Sequence, residues 1–140
     1  MKKFFKSLML ISVCLGLSAT VNAKTFRYAT TGDILGLDPH ANNEGPTNTM
    51  KGNIYGRMLH RKADLSLEPD LATKWEKLDA NTWRFSLRRG VKFHNGNDFN
   101  ADDVLFSYKR QTQEASDMSF ALATIKQINK VDDYTVDLIT

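Results

Sequence analysis

The stretch NTWRFSLRRGVKFHNG, residues 81–96, decides how the chain is read. It holds Arg84, Arg88, Arg89, Lys92 and His94, with Trp83, Phe85 and Phe93 set among them. A nucleic-acid surface needs aromatics free to stack on the same side as the cations. A β-strand sends successive side chains to opposite faces. That period puts Trp83, Phe85 and Leu87 on one face and Thr82, Arg84, Ser86 and Arg88 on the other. The aromatics are therefore expected in a core and the arginines on a solvated face. Gly90 breaks the strand, Val91 and Phe93 resume it, and Asn95-Gly96 is a turn signal.

Further along, DFNADDVLFSYKRQ (residues 98–111) has the marks of a helix start. Asn100 can cap, Asp102 and Asp103 sit in the positive first turn, and Phe99 can pack on Val104 across the cap. IKQINKV and YTVDLIT around Asp132-Asp133 read as a hairpin. In its second arm Tyr134, Val136 and Leu138 face one way, and Thr135 and Asp137 the other.

Upstream, LEPDLATKWEKL (residues 67–78) is expected to form a short helix. Pro69 would stand in its first turn, with Leu71, Ala72 and Trp75 on the buried side. TMKGNIYGRMLHRK (residues 49–62) spaces Met50, Ile54, Met58 and Leu59 as a helix would, although Gly52 and Gly56 weaken the preference. TFRYAT (residues 25–30) is β-prone and is expected to be a short buried strand. Between them TTGDILGLDPHANNEGPTNT (residues 30–49) is rich in turn formers. It reads as a connector or as a ordered loop that faces a ligand, where glycine lets backbone approach and exposed amides can donate.

The front of the chain reads as an export signal. Lys2, Lys3 and Lys6 precede an apolar run from about Leu8 to Leu17, and Val21-Asn22-Ala23 ends it with small residues at the cleavage positions. Cleavage is expected after Ala23. The run is shorter than the roughly 20 residues that span a bilayer. Cys14 lies inside it, and Val13 before it is too large for a lipid-attachment site. The mature chain of 117 residues (140 minus 23) then has no cysteine, so neither a disulfide frame nor a thiolate metal site is available. Three of the 19 Lys and Arg leave with the signal, so 16 basic residues face 16 acidic ones. No global field remains to draw a polyanion.

Enzymatic chemistry finds no foothold. His40, His60 and His94 are dispersed, and His60 sits beside Arg61 and Lys62. Asp102-Asp103 is explained by capping and Asp132-Asp133 by a turn. Neighbours on a helix do not face a common point. Ser86, Ser107 and Ser119 lack the glycines of a nucleophile elbow. Gly32, Gly36 and Gly45 are irregularly spaced and lack the lysine of a phosphate loop.

The order of these pieces resembles a known family. EPDLATKWEKLDANTWRFSLRRGVKFHNGNDFNADDVLFSYKR (residues 68–110) is similar to the signature region of the family 5 extracellular solute-binding proteins, the peptide, oligopeptide, nickel and glutathione receptors of ATP-binding-cassette importers. The matching positions run from Pro69, Leu71-Ala72, Trp75, Asp79, Trp83 and Phe85 through Leu87-Arg88, Gly90 to His94, Gly96, Phe99, Ala101 and Asp103-Val104. LDPH upstream and VDDYTVDLIT downstream also fit, while Asn95 and Asp98 stand where the family usually has Asp and Pro.

The resemblance implies an α/β, type II periplasmic-binding-protein-like fold of two lobes with an extra domain, of which the N-terminal part is here. Residues 24–49 would be the first strand and polar segment of the ligand-binding lobe, and residues 50–140 part of the smaller additional domain. It implies a periplasmic subunit that captures di- or oligopeptides for an inner-membrane permease, monomeric when full length, with no catalytic residue, metal or cofactor and no nucleic-acid partner. Asn43, Glu44 and Gly45 are the ligand-binding candidates by position. Nickel, glutathione or another small solute is the alternative within the family. A secreted enzyme with its catalytic residues further along is the alternative outside it. Because the last strand stops without a polar exit at Thr140, the chain is expected to be the front of a longer protein, by itself poorly soluble or partly unfolded and unable to bind ligand.

Overall fold

A computed structural model describes residue 25 and residues 27–140. The expected signal, Cys14, the cleavage point and Phe26 lie outside the described residues. The elements are α1 (Gly45–Ile54), a hairpin of β1 (Leu59–Arg61) and β2 (Leu67–Pro69), then β3 (Ala72–Lys77) and β4 (Thr82–Leu87). After these come α2 (Ala101–Gln111), a 3-10 turn (Ser119–Leu122), β5 (Gln127–Asp132) and β6 (Thr135–Ile139).

β3 to β6 make one antiparallel sheet in the order β3-β4-β6-β5. The strand read from the opening stretch is its centre. Phe85 stands opposite Trp75 on one side and Val136 on the other, and Trp83 stands opposite Leu138. Directly paired residues share a face, so these side chains form one apolar surface, and α2 packs against it with Val104 and Leu105. Leu87, Phe99, Ala101 and Val136 are the buried centre. Phe93 meets Phe99 edge-on, with ring centroids 6.2 Å apart.

α2 begins as its sequence predicts. Asn100 Oδ1 accepts the Asp102 N–H at 2.8 Å, and Asp103 Oδ2 accepts the Asn100 N–H at 2.9 Å, a reciprocal cap. The Ala101 N–H also donates to the Asp133 carbonyl at 2.9 Å, tying the helix start to the β5–β6 turn. Gly90 and Gly96 have φ of +74° and +89°, a region L side chains avoid. Both turns fall where the sequence places them.

Three expectations are corrected. Residues 67–78 form strands, not a helix. Opposite Leu87 and Ser86, β3 places Ala72 and Lys74, which leaves Thr73 as an extra residue in a bulge. The inward residues Ala72 and Trp75 are thus three apart, which imitates a helical stripe in the sequence. The helix expected across residues 49–62 instead starts at Gly45 and stops at Ile54. Leu59 pairs with Pro69 in a hairpin, a tertiary partner that outweighs local spacing. Residues 27–30 are exposed and belong to no strand, because no strand among the described residues lies beside them to complete a ladder.

The arginine face is also not simply solvated. Arg84 forms two hydrogen bonds to Asp137, Arg88 Nε donates to the Asp70 carbonyl at 2.8 Å, and the Arg89 guanidinium lies 4.1 Å from the Tyr134 ring centre. Each cation finds a partner that strand period alone does not reveal.

Candidate functional site

The polar segment before α1 has no regular element, yet it is tied down at short intervals. The Leu35 N–H donates to Thr47 Oγ1 at 2.9 Å, Tyr55 Oη donates to the Leu37 carbonyl at 2.7 Å, and Lys51 Nζ donates to the Asn42 carbonyl at 2.7 Å. Thr47, Lys51 and Tyr55 are four residues apart, so they line one side of α1 and its end. Thr47 and Lys51 are the two buried residues of that helix. The segment satisfies its backbone through a helix face in place of a sheet.

A second set of ties comes from the far end of α2. Arg110 Nη1 donates to Asp38 Oδ1 at 2.8 Å, and Nη2 bonds Asp38 Oδ2. Arg110 Nη1 also lies 3.0 Å from His40 Nδ1, and Ser116 Oγ donates to the His40 carbonyl at 3.1 Å. The Arg110 guanidinium, followed by the His40 backbone N–H, holds the Asp38 carboxyl well below the usual carboxylate range. Burial, followed by the charge of Arg110, pushes the His40 imidazole below its ordinary value of 6.5. These groups border a shallow cavity of about 140 Å³ lined also by Ala41, Gln113 and Ala115.

Asn43, Glu44 and Gly45 stand at the start of α1. Glu44 Oε1 caps the helix by accepting the Thr47 N–H at 2.8 Å, and Asn43 Oδ1 accepts from Asn48 Nδ2 at 2.9 Å. Asn43 and Gly45 are exposed, so this corner presents an amide side chain and open backbone, with the Glu44 carboxylate already engaged. Of the other residues weighed in the sequence, His60 lies opposite Glu68 in the β1–β2 hairpin and His94 lies exposed in a turn. No group of three metal-ligating side chains occurs among the described residues. Asp102 and Asp133, one from each acidic pair, meet on Lys130 Nζ at 2.9 Å each.

An apolar cleft of about 190 Å³ opens between the sheet and α2, lined by Met58, Leu59, Phe85, Val104, Ile128, Val136 and Leu138. It holds no acid, base or nucleophile. The sequence did not reveal Asp38 and Arg110 as partners. Their separation of 72 positions hides them, and no local pattern links a loop aspartate to an arginine late in a distant helix.

Residues 66–140 match the family model described as bacterial extracellular solute-binding proteins, family 5, middle. The dipeptide-binding protein of Escherichia coli K12 is 33% identical over 91% of this chain, which spans 28% of that protein's length. Heme-binding protein A of Haemophilus influenzae is 35% identical over 80% of this chain, which spans 24% of that protein. Among solved structures, the ABC transporter-associated periplasmic binding protein DppA from Helicobacter pylori, in complex with peptide STSA, superposes with a TM-score of 0.64. It is 30% identical, and the match covers 76% of this chain and 25% of that one. The fold is that of the periplasmic binding proteins, of which this chain spans about a quarter, and by the match over residues 66–140 the chain belongs to the family 5 bacterial extracellular solute-binding proteins.

Proposed function

We propose that this chain is part of a periplasmic receptor that captures di- or oligopeptides and delivers them to the membrane permease of an ABC importer. The observation that carries this reading is the likeness to a dipeptide-binding protein along 91% of the chain. The export signal read in residues 1–23 and the balanced charge of the remainder support it. A receptor of this kind needs no catalytic step. Its ligand binds the closed arrangement of two lobes better than the open one, and that difference drives closure.

In this proposal residues 24–49 belong to the ligand-binding lobe and residues 50–140 to the additional domain, with the boundary crossing α1. Asn43, Glu44 and Gly45 would meet the ligand through backbone, because the carboxylate of Glu44 is spent on the helix cap. A second reading within the family, capture of another small solute, is favoured by the 35% identity to heme-binding protein A.

A thermal-shift screen of the mature secreted protein carrying this sequence tests the choice. At a ligand concentration about 100 times Kd, binding stabilises the folded state by about 2.7 kcal/mol. Di- to oligopeptides are expected to raise the melting temperature. No response to any peptide, with a response to haem, nickel or glutathione, rejects the peptide assignment.

A further inference from the structure

We propose that Arg110 is a positioning residue for the polar segment: with Asp38 and His40 it forms a clasp that fixes the backbone of residues 42–45 before any ligand arrives. The proposal rests on the peptide-capture reading and names the residues that prepare its candidate site.

The clasp is a closed set of contacts. Both carboxylate oxygens of Asp38 accept from Arg110, and Asp38 Oδ1 also accepts the His40 N–H at 2.9 Å. Arginine can only donate. His40 Nδ1, 3.0 Å from Arg110 Nη1, must therefore be the acceptor, which leaves the imidazole neutral with its proton on Nε2. A lysine at 110 would supply a point charge and could not span two carboxylate oxygens and a ring nitrogen with one planar group.

The clasp has a firm base. α2 is held at its start by the Asn100 cap and by the bond from Ala101 to the Asp133 carbonyl, so Arg110 projects from an anchored helix. Two residues beyond His40, Lys51 takes the Asn42 carbonyl, and Glu44 then caps α1. Residues 40–44 are thus gripped at both ends by different helices. A loop ordered in advance loses less freedom when a ligand docks, and the saving appears as affinity.

The clasp is also sensitive to acid. The charged groups that act on His40 are Arg110 from α2, Lys51 from α1 and Asp38 from its own loop. Protonated His40 would set a second cation against Arg110, with one carboxylate between them. Because the folded value lies below the ordinary one, the clasp is intact above about pH 6.5 and is lost as pH falls through the folded value.

The test uses the full-length secreted protein and three variants, Arg110→Met, Arg110→Lys and His40→Asn. Amide hydrogen exchange is read over residues 34–45 and over the four-stranded sheet, and peptide affinity is read from about pH 5 to 8. Arg110→Met is expected to speed exchange in residues 34–45 by about tenfold or more and to weaken peptide binding about tenfold, with sheet amides within about twofold of the parent. Arg110→Lys should recover part of this. His40→Asn, whose neutral amide oxygen can still accept, should flatten the loss of affinity on acidification. Unchanged exchange in residues 34–45, or equal acceleration in the sheet, overturns the clasp. If no peptide binds the parent protein, the capture reading fails while the exchange result still decides the clasp.

Discussion

Arg84 and Asp137 stand directly opposite each other on β4 and β6 and are joined by two hydrogen bonds, Nε to Oδ1 and Nη2 to Oδ2, each 2.7 Å. The side chain of Asp137 is only 15% exposed, so little water can replace Arg84 as its partner. Removing one partner strands the other, whereas removing both leaves an apolar pair on a strand face. Arg84→Met is therefore expected to lower the denaturation midpoint more than Arg84→Met combined with Asp137→Leu. A double variant whose loss equals the sum of the two single losses would show that the pair is not coupled.

The bulge in β3 yields a deletion experiment. Thr73 is the residue without a directly opposite partner, since Ala72 faces Leu87 and Lys74 faces Ser86. Deleting Thr73 would make the strand regular and keep Ala72 and Trp75 on the core side. Its cost is the hydrogen bond from Thr73 Oγ1 to the Ser86 carbonyl, 3.2 Å long, worth about 1 kcal/mol. Deleting Glu76 instead sets Lys77 opposite Arg84, two cations side by side, and takes the Lys77 ammonium off the Trp83 ring. Thermal melts should show the first deletion tolerated and the second more destabilising.

The same bulge explains where the sequence can and cannot be read. β4, α2 and the β5–β6 hairpin are legible because each carries its own signal: strict alternation from Thr82 to Leu87, a reciprocal cap at Asn100 and Asp103, a turn at Asp132-Asp133. β3 is not legible, because one extra residue changes a period of two into a spacing of three. The β1–β2 hairpin depends on pairing between Leu59 and Pro69 that neither strand announces alone. In the polar segment, Asn43 to Gly45 are candidates by position alone, and the ties that hold the segment come from Thr47, Lys51 and Arg110 at Leu35, Asn42 and Asp38. Those ties depend on how two helices are placed, which local pattern does not contain.

Lys130 links the start of α2 to the β5–β6 turn, with Asp102 and Asp133 each 2.9 Å from Nζ. The hydrogen bonds to Asp133 and then Asp102 raise the ammonium pKa above the usual lysine value. A raised folded value means that the stabilisation is complete below about pH 10.5, the unfolded value, and disappears as pH rises through the folded one. Lys130→Met should therefore be less stable than the parent near neutrality, and the two should converge in strong alkali. Denaturant midpoints that stay equally far apart at neutral and strongly alkaline pH would remove Lys130 from this role.

Thr47 offers the most direct test of how the polar segment is held. Its side chain is fully buried in α1, and Oγ1 is the acceptor for the Leu35 N–H at 2.9 Å. Thr47→Val keeps the shape and deletes the acceptor, leaving a partly buried N–H without its partner at a cost of about 1–2 kcal/mol. Thr47→Ser keeps the acceptor and deletes one methyl group, which costs about 1 kcal/mol by lost apolar burial. The two variants can lose similar stability and still differ in mechanism. Exchange of the Leu35 amide separates them, because it should quicken clearly in Thr47→Val and stay near the parent rate in Thr47→Ser. Equal protection of Leu35 in both variants would mean that packing around Thr47, and not its hydroxyl, fixes the segment to the helix.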